Sequence, residues 1–127
     1  IMNIRECPFC ENTSEIIAEN AVGYAILDGF PVSKGHCLVI PRKHVPGFFD
    51  LSYEDQSELW KLASQVREIL SERYETDGFN VGLNDGDVAG QTVMHSHVHV
   101  IPRYKDDLAD PRGGVRWVLP ESANYWD

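Results

Sequence analysis

Basic residues are scarce in this chain, and their scarcity limits its partners. Eleven Lys and Arg stand against twenty Asp and Glu, which gives a formal net charge of −9 at pH 7. Repulsion of this sign disfavours binding to nucleic acid or to an anionic membrane surface. A small anionic substrate is still compatible with this charge, because backbone N–H groups and imidazoles can make one cleft locally attractive.

Long apolar runs and a full set of paired cysteines are also missing. No apolar segment approaches the roughly 18 residues of a membrane span, and the first residues do not form a basic stretch followed by an apolar one. Three cysteines, an odd number, disfavour a disulfide framework. We therefore expect a cytoplasmic protein that makes no use of a membrane.

The length and composition are typical of one globular domain. A chain of 127 residues can enclose one core but not two, and its hydrophobic share of 43% is ordinary for a folded protein. We expect a single domain over residues 1–127. Its N-terminal segment, 1–13, carries a Cys-x-x-Cys pair, and a polar and then aromatic C-terminal tail covers 105–127.

Short apolar runs bounded by Gly, Asp and Pro predict strands on both sides of one long helix. The predicted strands are 16–17, 24–27, 36–40, a run from Phe79 to the Asp85-Gly86 turn, and 92–101. Ser52 with Asp55 three residues later predicts the start of the helix, and Gly78 lies just beyond its end. This order predicts an α+β domain with an antiparallel sheet of about five strands and one long helix.

Three of the five histidines alternate in the segment "HSHVH", residues 95–99. Residues two apart on a strand share a face, so His95, His97 and His99 are predicted to line one side of the strand. Steps of about 6.6 Å place the outer two about 13 Å apart, which is awkward for a single ion with bonds of about 2 Å. Two neighbours could share an ion, but an extended substrate suits the whole strip better.

The preceding segment, "NDGDVAGQTV", adds uncharged donors beside the histidines. Asn84, Gln91 and Thr92 can donate to phosphate oxygens, and Gly86 and Gly90 allow the backbone to approach a ligand closely. Taken alone, the segment is equally a good hairpin turn. One histidine alone would be explained as a satisfied polar residue, whereas three in alternation favour a functional site.

The histidine segment resembles the signature of a known family. His95-Ser96-His97-Val98-His99-Val100-Ile101 is similar to the His-x-His-x-His-x-x motif of the histidine triad (HIT) family of nucleotide hydrolases and transferases. The likeness extends through "GHCLVIPRKHV", "FFDL" and "NDGDVAGQTV", from about Tyr24 to Tyr104. It implies the HIT fold and a homodimer whose sheets join across the interface.

The resemblance implies roles for the histidines. His97 matches the nucleophile that attacks an α-phosphorus and becomes a nucleotidyl-imidazole, which suits neutral imidazole near pH 7. His99 and His36 match residues that contact the α-phosphate, and His99 is also expected to assist the leaving group as an acid. The carbonyl of the residue after His97, or a neighbouring backbone group, is expected to hold its second ring nitrogen.

The resemblance also assigns residues outside the triad. Asn84, Gln91 and Thr92 match positions on the phosphate side of the substrate. Asp28 matches the residue that accepts hydrogen bonds from the ribose hydroxyls. Without the resemblance Asp28 would be interpreted as an ordinary turn aspartate.

Cys7 and Cys10 have the spacing of half a tetrahedral zinc site. Their resemblance to zinc-binding HIT relatives, and to the similar galactose-1-phosphate uridylyltransferases, implies that His44 and His95 complete the set. Such a zinc would be structural, because no ligand position is left for an activated water. The alternative is a reduced cysteine pair without metal. No organic cofactor is implied, and Cys37 in "HCLVI" is expected in the core.

The resemblance implies hydrolysis of a purine nucleotide derivative through nucleotidyl-His97. The triad segment is more similar to the fragile-histidine-triad branch, so hydrolysis of dinucleoside polyphosphates such as diadenosine tri- or tetraphosphate is the first expectation. Asp28 and the zinc-like ligand set are more similar to the phosphoramidase branch, which makes purine nucleoside phosphoramidates the second. Phosphate could also replace water as the acceptor. Non-catalytic nucleotide binding and a catalytic zinc are the remaining alternatives.

Overall fold

One antiparallel sheet and one long helix make up the fold. The computed structural model describes residues 6–127, so the predicted segment 1–13 is described only from Glu6. The elements are β1 (Ala18–Glu19), β2 (Gly23–Leu27), β3 (Cys37–Pro41), α1 (Tyr53–Arg73), β4 (Gly78–Gly82) and β5 (Val98–Arg103). The strands pair antiparallel in the order β1-β2-β3-β5-β4. The predicted α+β class, with five strands and one helix, is confirmed.

The helix begins where its capping residues predict. The Ser52 hydroxyl accepts a hydrogen bond from the Asp55 backbone N–H at 3.1 Å, which satisfies one of the donors left free at a helix N-terminus. Its buried stripe comprises Leu59, Leu62, Ala63, Val66 and Leu70. Burying a leucine side chain contributes roughly 1.5–3 kcal/mol, so this stripe fixes α1 against the sheet.

The two faces of the sheet are covered by different parts of the chain. The helix packs with a core that includes Ala25, Cys37, Val39, Val98 and Val100. A second buried cluster comprises Tyr24, Ile26, Leu38 and Ile40, with Phe9 packed against it. Side chains alternate along β2 and β3, so the two clusters lie on opposite faces. The core position predicted for Cys37 is confirmed.

The strand that carries the triad begins later than its pattern predicts. β5 starts at Val98, not at Thr92, so the predicted single row of three histidines is wrong. The Ser96 N–H donates to the Val45 carbonyl at 2.7 Å, outside the ladder of the sheet. His95 is fully buried, and its ring turns away from the row.

One strand and one connection also differ in detail from the sequence prediction. β1 covers Ala18–Glu19 in place of 16–17, and the Ile17 N–H donates to the Ala25 carbonyl just ahead of it. The predicted Asp28-Gly29 turn opens a longer connection between β2 and β3. A hydrogen bond of 2.8 Å from the Asp28 N–H to the His36 carbonyl closes it.

The C-terminal tail folds back on itself after β5. The Trp117 indole N–H donates to the Arg112 carbonyl at 2.8 Å, and the Arg112 guanidinium lies 4.6 Å from the centre of the Trp126 ring. Trp126 therefore packs within the tail, while Trp117 is 45% exposed. Nowhere in residues 6–127 is there a helix with the length and apolar character needed to cross a bilayer.

Candidate active site and metal cluster

A cleft of about 640 Å³ opens on the sheet face opposite α1. This size lies within the roughly 300–1,000 Å³ of small-molecule sites. The N-terminal segment, the β2–β3 connection and the loop before the triad all line it. The cleft brings together five residues predicted from the sequence, namely Asp28, Asn84, Thr92, His97 and His99.

His97 presents an unprotonated nitrogen to the cleft. Its Nδ1 lies 2.8 Å from the His95 carbonyl oxygen. A carbonyl only accepts, so Nδ1 carries the proton and Nε2 keeps its lone pair. The partner of His97 is thus the carbonyl of His95, two residues before it, and not the carbonyl of the residue after it. The lone pair required of a nucleophile is on the far side of the ring.

His36 fixes the protonation of His99. The Val32 N–H donates to Nδ1 of His36 at 3.1 Å, so the His36 proton is on Nε2. That Nε2–H lies 2.9 Å from Nδ1 of His99 and donates to it, which leaves the His99 proton on Nε2. His99 lines the cleft, whereas His36 is buried behind it. His36 therefore reaches the cleft through His99, not by the direct phosphate contact expected from the sequence.

Both members of this pair are neutral near pH 7. Burial lowers the pKa of His36, and the opposing effect of Asp28 is smaller. Burial, followed by the neighbouring His97 and His36, lowers the pKa of His99 to about 4. A neutral His99 donates a hydrogen bond from Nε2 without carrying a charge.

This low pKa predicts a loss of stability in acid. Unfolded His99 takes up a proton near its ordinary pKa of 6.5, whereas folded His99 resists protonation until about 4, so its contribution is complete above 6.5 and falls as pH drops toward 4. Relative to wild type, His99→Gln should flatten the pH dependence of the free energy of unfolding by roughly 1–2 kcal/mol over that interval, after allowing for solvent screening. Urea titrations at several pH values measure it. Both proteins share all other titrating groups, so identical profiles would contradict a neutral His99.

Asp28 serves the local turn and the cleft together. Its Oδ1 accepts from the Phe30 N–H at 2.8 Å, which is the ordinary turn role. Its Oδ2 lies 3.4 Å from Nε2 of His36, and the side chain is 15% exposed. Asp28 also lines the cleft, so its carboxylate belongs both to the turn and to the wall of the cleft.

Gln91 holds the loop instead of lining the cleft. Its Oε1 accepts from the Gly86 N–H at 2.9 Å, and its Nε2 donates to the carbonyls of Pro46 at 2.7 Å and Val93 at 3.0 Å. These bonds use both amide protons. The phosphate contact expected for Gln91 is therefore absent from this geometry, and its side chain fixes the loop that carries Asn84 and Thr92.

A second cluster joins Cys7, Cys10, His44 and His95. Their ligand atoms all lie within 4.8 Å of one another. Nε2 of His95 lies 2.7 Å from the Pro41 carbonyl and so carries the proton, which leaves a lone pair on Nδ1. That Nδ1 is 3.3 Å from the Cys7 sulfur and 3.1 Å from Nδ1 of His44. A backbone carbonyl that fixes the tautomer is the usual support of a metal-binding histidine.

The spacing of these atoms fits a tetrahedral ion. Zinc bonds of about 2.0–2.3 Å place ligand atoms roughly 3.3–3.8 Å apart. The Cys10 sulfur lies 3.2 Å from Nδ1 of His44 and 3.6 Å from Nδ1 of His95. Burial and the Cys7 thiol raise the pKa of Cys10 to about 11, so a cation is needed to hold Cys10 as a thiolate. These four residues could bind a metal ion.

Phe9 is a cleft residue that the sequence reasoning missed. Its ring centre lies 5.1 Å from that of His97 and 5.6 Å from that of His95. The sequence feature that could have identified Phe9 is its position between Cys7 and Cys10. The two cysteines join the cluster, and they therefore fix the position of the residue between them.

Known proteins resemble this chain in both sequence and fold. The HIT domain matches residues 10–106. A bis(5'-adenosyl)-triphosphatase from Dictyostelium discoideum is 38% identical over 101 residues, covering 80% of this chain and 68% of that protein. An asymmetrical bis(5'-nucleosyl)-tetraphosphatase from Schizosaccharomyces pombe is 34% identical over 97 residues, covering 76% of this chain but only 53% of that protein.

Among solved structures, a zinc-bound histidine triad family protein from Mycobacterium smegmatis matches with a TM-score of 0.77 and 32% identity, covering 85% of this chain and 82% of that one. A HIT family protein from Bacillus anthracis matches with a TM-score of 0.74 and 35% identity, covering 79% and 74%. The matched domain includes the cleft residues from Asp28 to His99. In its sequence, its sheet and its histidine arrangement, this chain belongs to the HIT domain family.

Proposed function

We propose that this protein hydrolyses dinucleoside polyphosphates at an α-phosphorus through a covalent nucleotidyl-His97 intermediate. The observation that carries the proposal is the His97 lone pair at the cleft, fixed by the His95 carbonyl and next to the N–H of His99. The similarity to proteins named as adenosyl triphosphatase and nucleosyl tetraphosphatase supports the substrate class.

The reaction then has two displacements at phosphorus. Nε2 of His97 forms a bond to the α-phosphorus while the bond to the bridging oxygen breaks, and its electron pair leaves with the departing nucleotide. The imidazole becomes cationic, and its Nδ1–H remains bonded to the His95 carbonyl. Water then attacks phosphorus and gives a proton to His99, which passed one to the leaving oxygen in the first displacement; the P–N bond breaks back onto Nε2, and a nucleoside monophosphate leaves. Splitting one displacement into two easier ones is the advantage of covalent catalysis.

His99 serves the phosphate and the leaving group in this scheme. In the free protein its Nε2–H is a neutral donor. An anionic phosphate beside the ring favours its protonated form and raises its pKa, so His99 can then pass a proton to the departing oxygen. His36 supports this role indirectly, because its hydrogen bond holds His99 in the tautomer that carries the proton on Nε2.

The remaining cleft residues bind the rest of the substrate. Asn84 and Thr92 donate to phosphate oxygens, Asp28 accepts from the ribose hydroxyls, and Gln91 keeps their loop in place. The base is expected to be a purine. The family resemblance implies these roles, and the position of each residue around the cleft and the donor or acceptor that it offers support them.

We further propose that Cys7, Cys10, His44 and His95 hold a structural zinc. Bound zinc would cross-link the N-terminal segment to the segment that follows β3 and to the triad loop. It takes no part in the phosphorus chemistry, because all four tetrahedral positions are filled by protein. The similar zinc-bound M. smegmatis structure supports this metal.

A homodimer is the assembly that we propose. β4 lies at one end of the sheet, and an edge strand offers unpaired backbone groups to a second copy. Sedimentation equilibrium of the 14.4 kDa chain should give twice that mass. A monomer at micromolar concentration would contradict the proposed dimer but would not bear on the reaction proposed for the cleft.

A substrate panel tests the proposed function. Diadenosine triphosphate, diadenosine tetraphosphate and an adenosine phosphoramidate are each incubated with the protein, and nucleotide products are separated by chromatography. We expect AMP plus ADP from the triphosphate, with kcat/KM at least about tenfold above the phosphoramidate, a preference of about 1.4 kcal/mol. Turnover of the phosphoramidate alone would assign the second expected substrate class. Tight binding without any turnover would make the protein a nucleotide binder.

A further inference from the structure

The N-terminal segment, residues 6–14, connects the metal cluster to the cleft. Cys7 and Cys10 bring their sulfurs to the cluster, while Pro8, Phe9 and Asn12 line the cleft. The Tyr24 hydroxyl also donates to the Phe9 carbonyl. From Cys7 to Ser14 the segment consists of turns and irregular backbone, so its position depends on these attachments.

Phe9 lies at the centre of this connection. Its ring meets His97 edge-on, with ring centres 5.1 Å apart and planes at 62°, and it meets His95 at 5.6 Å and 86°. It also packs on the apolar sheet cluster that contains Tyr24 and Ile26. Edge-to-face contact is a preferred arrangement of two aromatic rings, so both contacts favour the observed ring orientations.

The orientation of the His97 ring needs such a neighbour. The hydrogen bond from Nδ1 to the His95 carbonyl holds one nitrogen of the ring, so other contacts must hold the edge that carries Nε2. Phe9 and His99 flank it, and each ring centre is 5.1 Å from that of His97. A reacting atom misplaced by about 1 Å can cost about a hundredfold in rate, so the flanking rings matter for the direction of the Nε2 lone pair.

We propose that Phe9 is a positioning residue for His97 and that metal binding at the cluster sets its position. The inference rests on the proposed function, because it assigns the orientation of the nucleophile. Metal held by Cys7 and Cys10 fixes the turn between them, and the turn holds the Phe9 ring against His97. Metal occupancy and nucleotide binding therefore strengthen each other, as coupled sites must do reciprocally.

Substitution of Phe9 tests the positioning role with a matched control. In zinc-loaded protein, Phe9→Leu should lower kcat by about 10- to 30-fold, because the orientation of the nucleophile is lost, and should raise KM by no more than the about 5- to 10-fold that the coupling to zinc contributes. Phe9→Tyr keeps the ring and should recover kcat to within about threefold of wild type. Phe49→Leu makes the same change at a 60% exposed ring that does not line the cleft, and should act like wild type. A raised KM with unchanged kcat in Phe9→Leu would reduce Phe9 to a wall of the cleft.

The coupling is measured without turnover. The zinc dissociation constant is determined by chelator competition, with and without saturating AMP as the probe. Wild type should hold zinc about 5- to 10-fold more tightly with AMP, and Phe9→Leu less than about twofold. AMP binding that leaves the zinc affinity of wild type unchanged would overturn the coupling alone. If AMP does not bind to the wild-type protein, both the coupling and the proposed function are contradicted. If zinc does not bind, the metal assignment is contradicted.

Discussion

His97→Gly is expected to lower kcat/KM for diadenosine triphosphate by at least about 10⁴-fold, which is the scale of loss when a covalent nucleophile is removed. In this cleft no second imidazole can replace it. Nδ1 of His99 is engaged by His36 and its Nε2 is protonated, while His95 is fully buried and turned to the cysteines. Steady-state kinetics with product chromatography measure the loss.

Ser96→Ala provides a matched control for this variant. Ser96 lies between His95 and His97, and its buried hydroxyl has no hydrogen-bond partner. Removing it should leave kcat/KM within about twofold, because no polar contact is broken. Activity of His97→Gly within about tenfold of wild type, with a native circular dichroism spectrum, would remove His97 from the role of nucleophile.

Loss of the metal cluster is expected to have the largest effect on stability. Cys7→Ser should abolish stoichiometric zinc and lower the free energy of unfolding by about 3 kcal/mol or more, because the binding energy of a structural zinc is part of the folding energy. Elemental analysis should give about one zinc per chain in wild type and none in the variant. Chemical denaturation of both proteins, with and without a chelator, gives the energy.

Cys37→Ala separates the cluster from a general effect of losing a thiol. Cys37 is fully buried in the sheet core and contributes no atom to the cluster, so its variant should keep one zinc per chain. A wild-type protein that contains no zinc, or that melts at the same temperature after chelation, would contradict the metal assignment and leave the cleft chemistry standing.

The helix and the approximate positions of most strands along the chain could be predicted because local patterns decide them. The apolar spacing from Leu59 to Leu70 and the cap at Ser52 act within a few residues. β5 was predicted from Thr92 because alternation continues through "TVMHSHVHV". Its start at Val98 is set by distant partners, since the Ser96 N–H bonds to Val45 and His95 reaches the cysteines.

Some site residues could likewise be predicted from local sequence patterns, and others depend on residues distant in the chain. His97 and His99 are evident from their spacing, and Asp28 from the resemblance. Gln91 could not be placed, because its amide is bound by Pro46, a residue far away in the chain. Phe9 enters the cleft through the thiols on either side of it, which the pattern of one segment cannot reveal.

The covalent bond proposed between phosphorus and Nε2 of His97 is detectable by peptide-mapping mass spectrometry. The protein is mixed with diadenosine triphosphate, quenched within milliseconds to seconds, digested and fragmented. A mass increase of one adenylyl group on the peptide that contains His97, absent from His97→Gly, is the predicted result. Turnover at the wild-type rate with no adduct at any quench time, or an adduct that persists in His97→Gly, would contradict it.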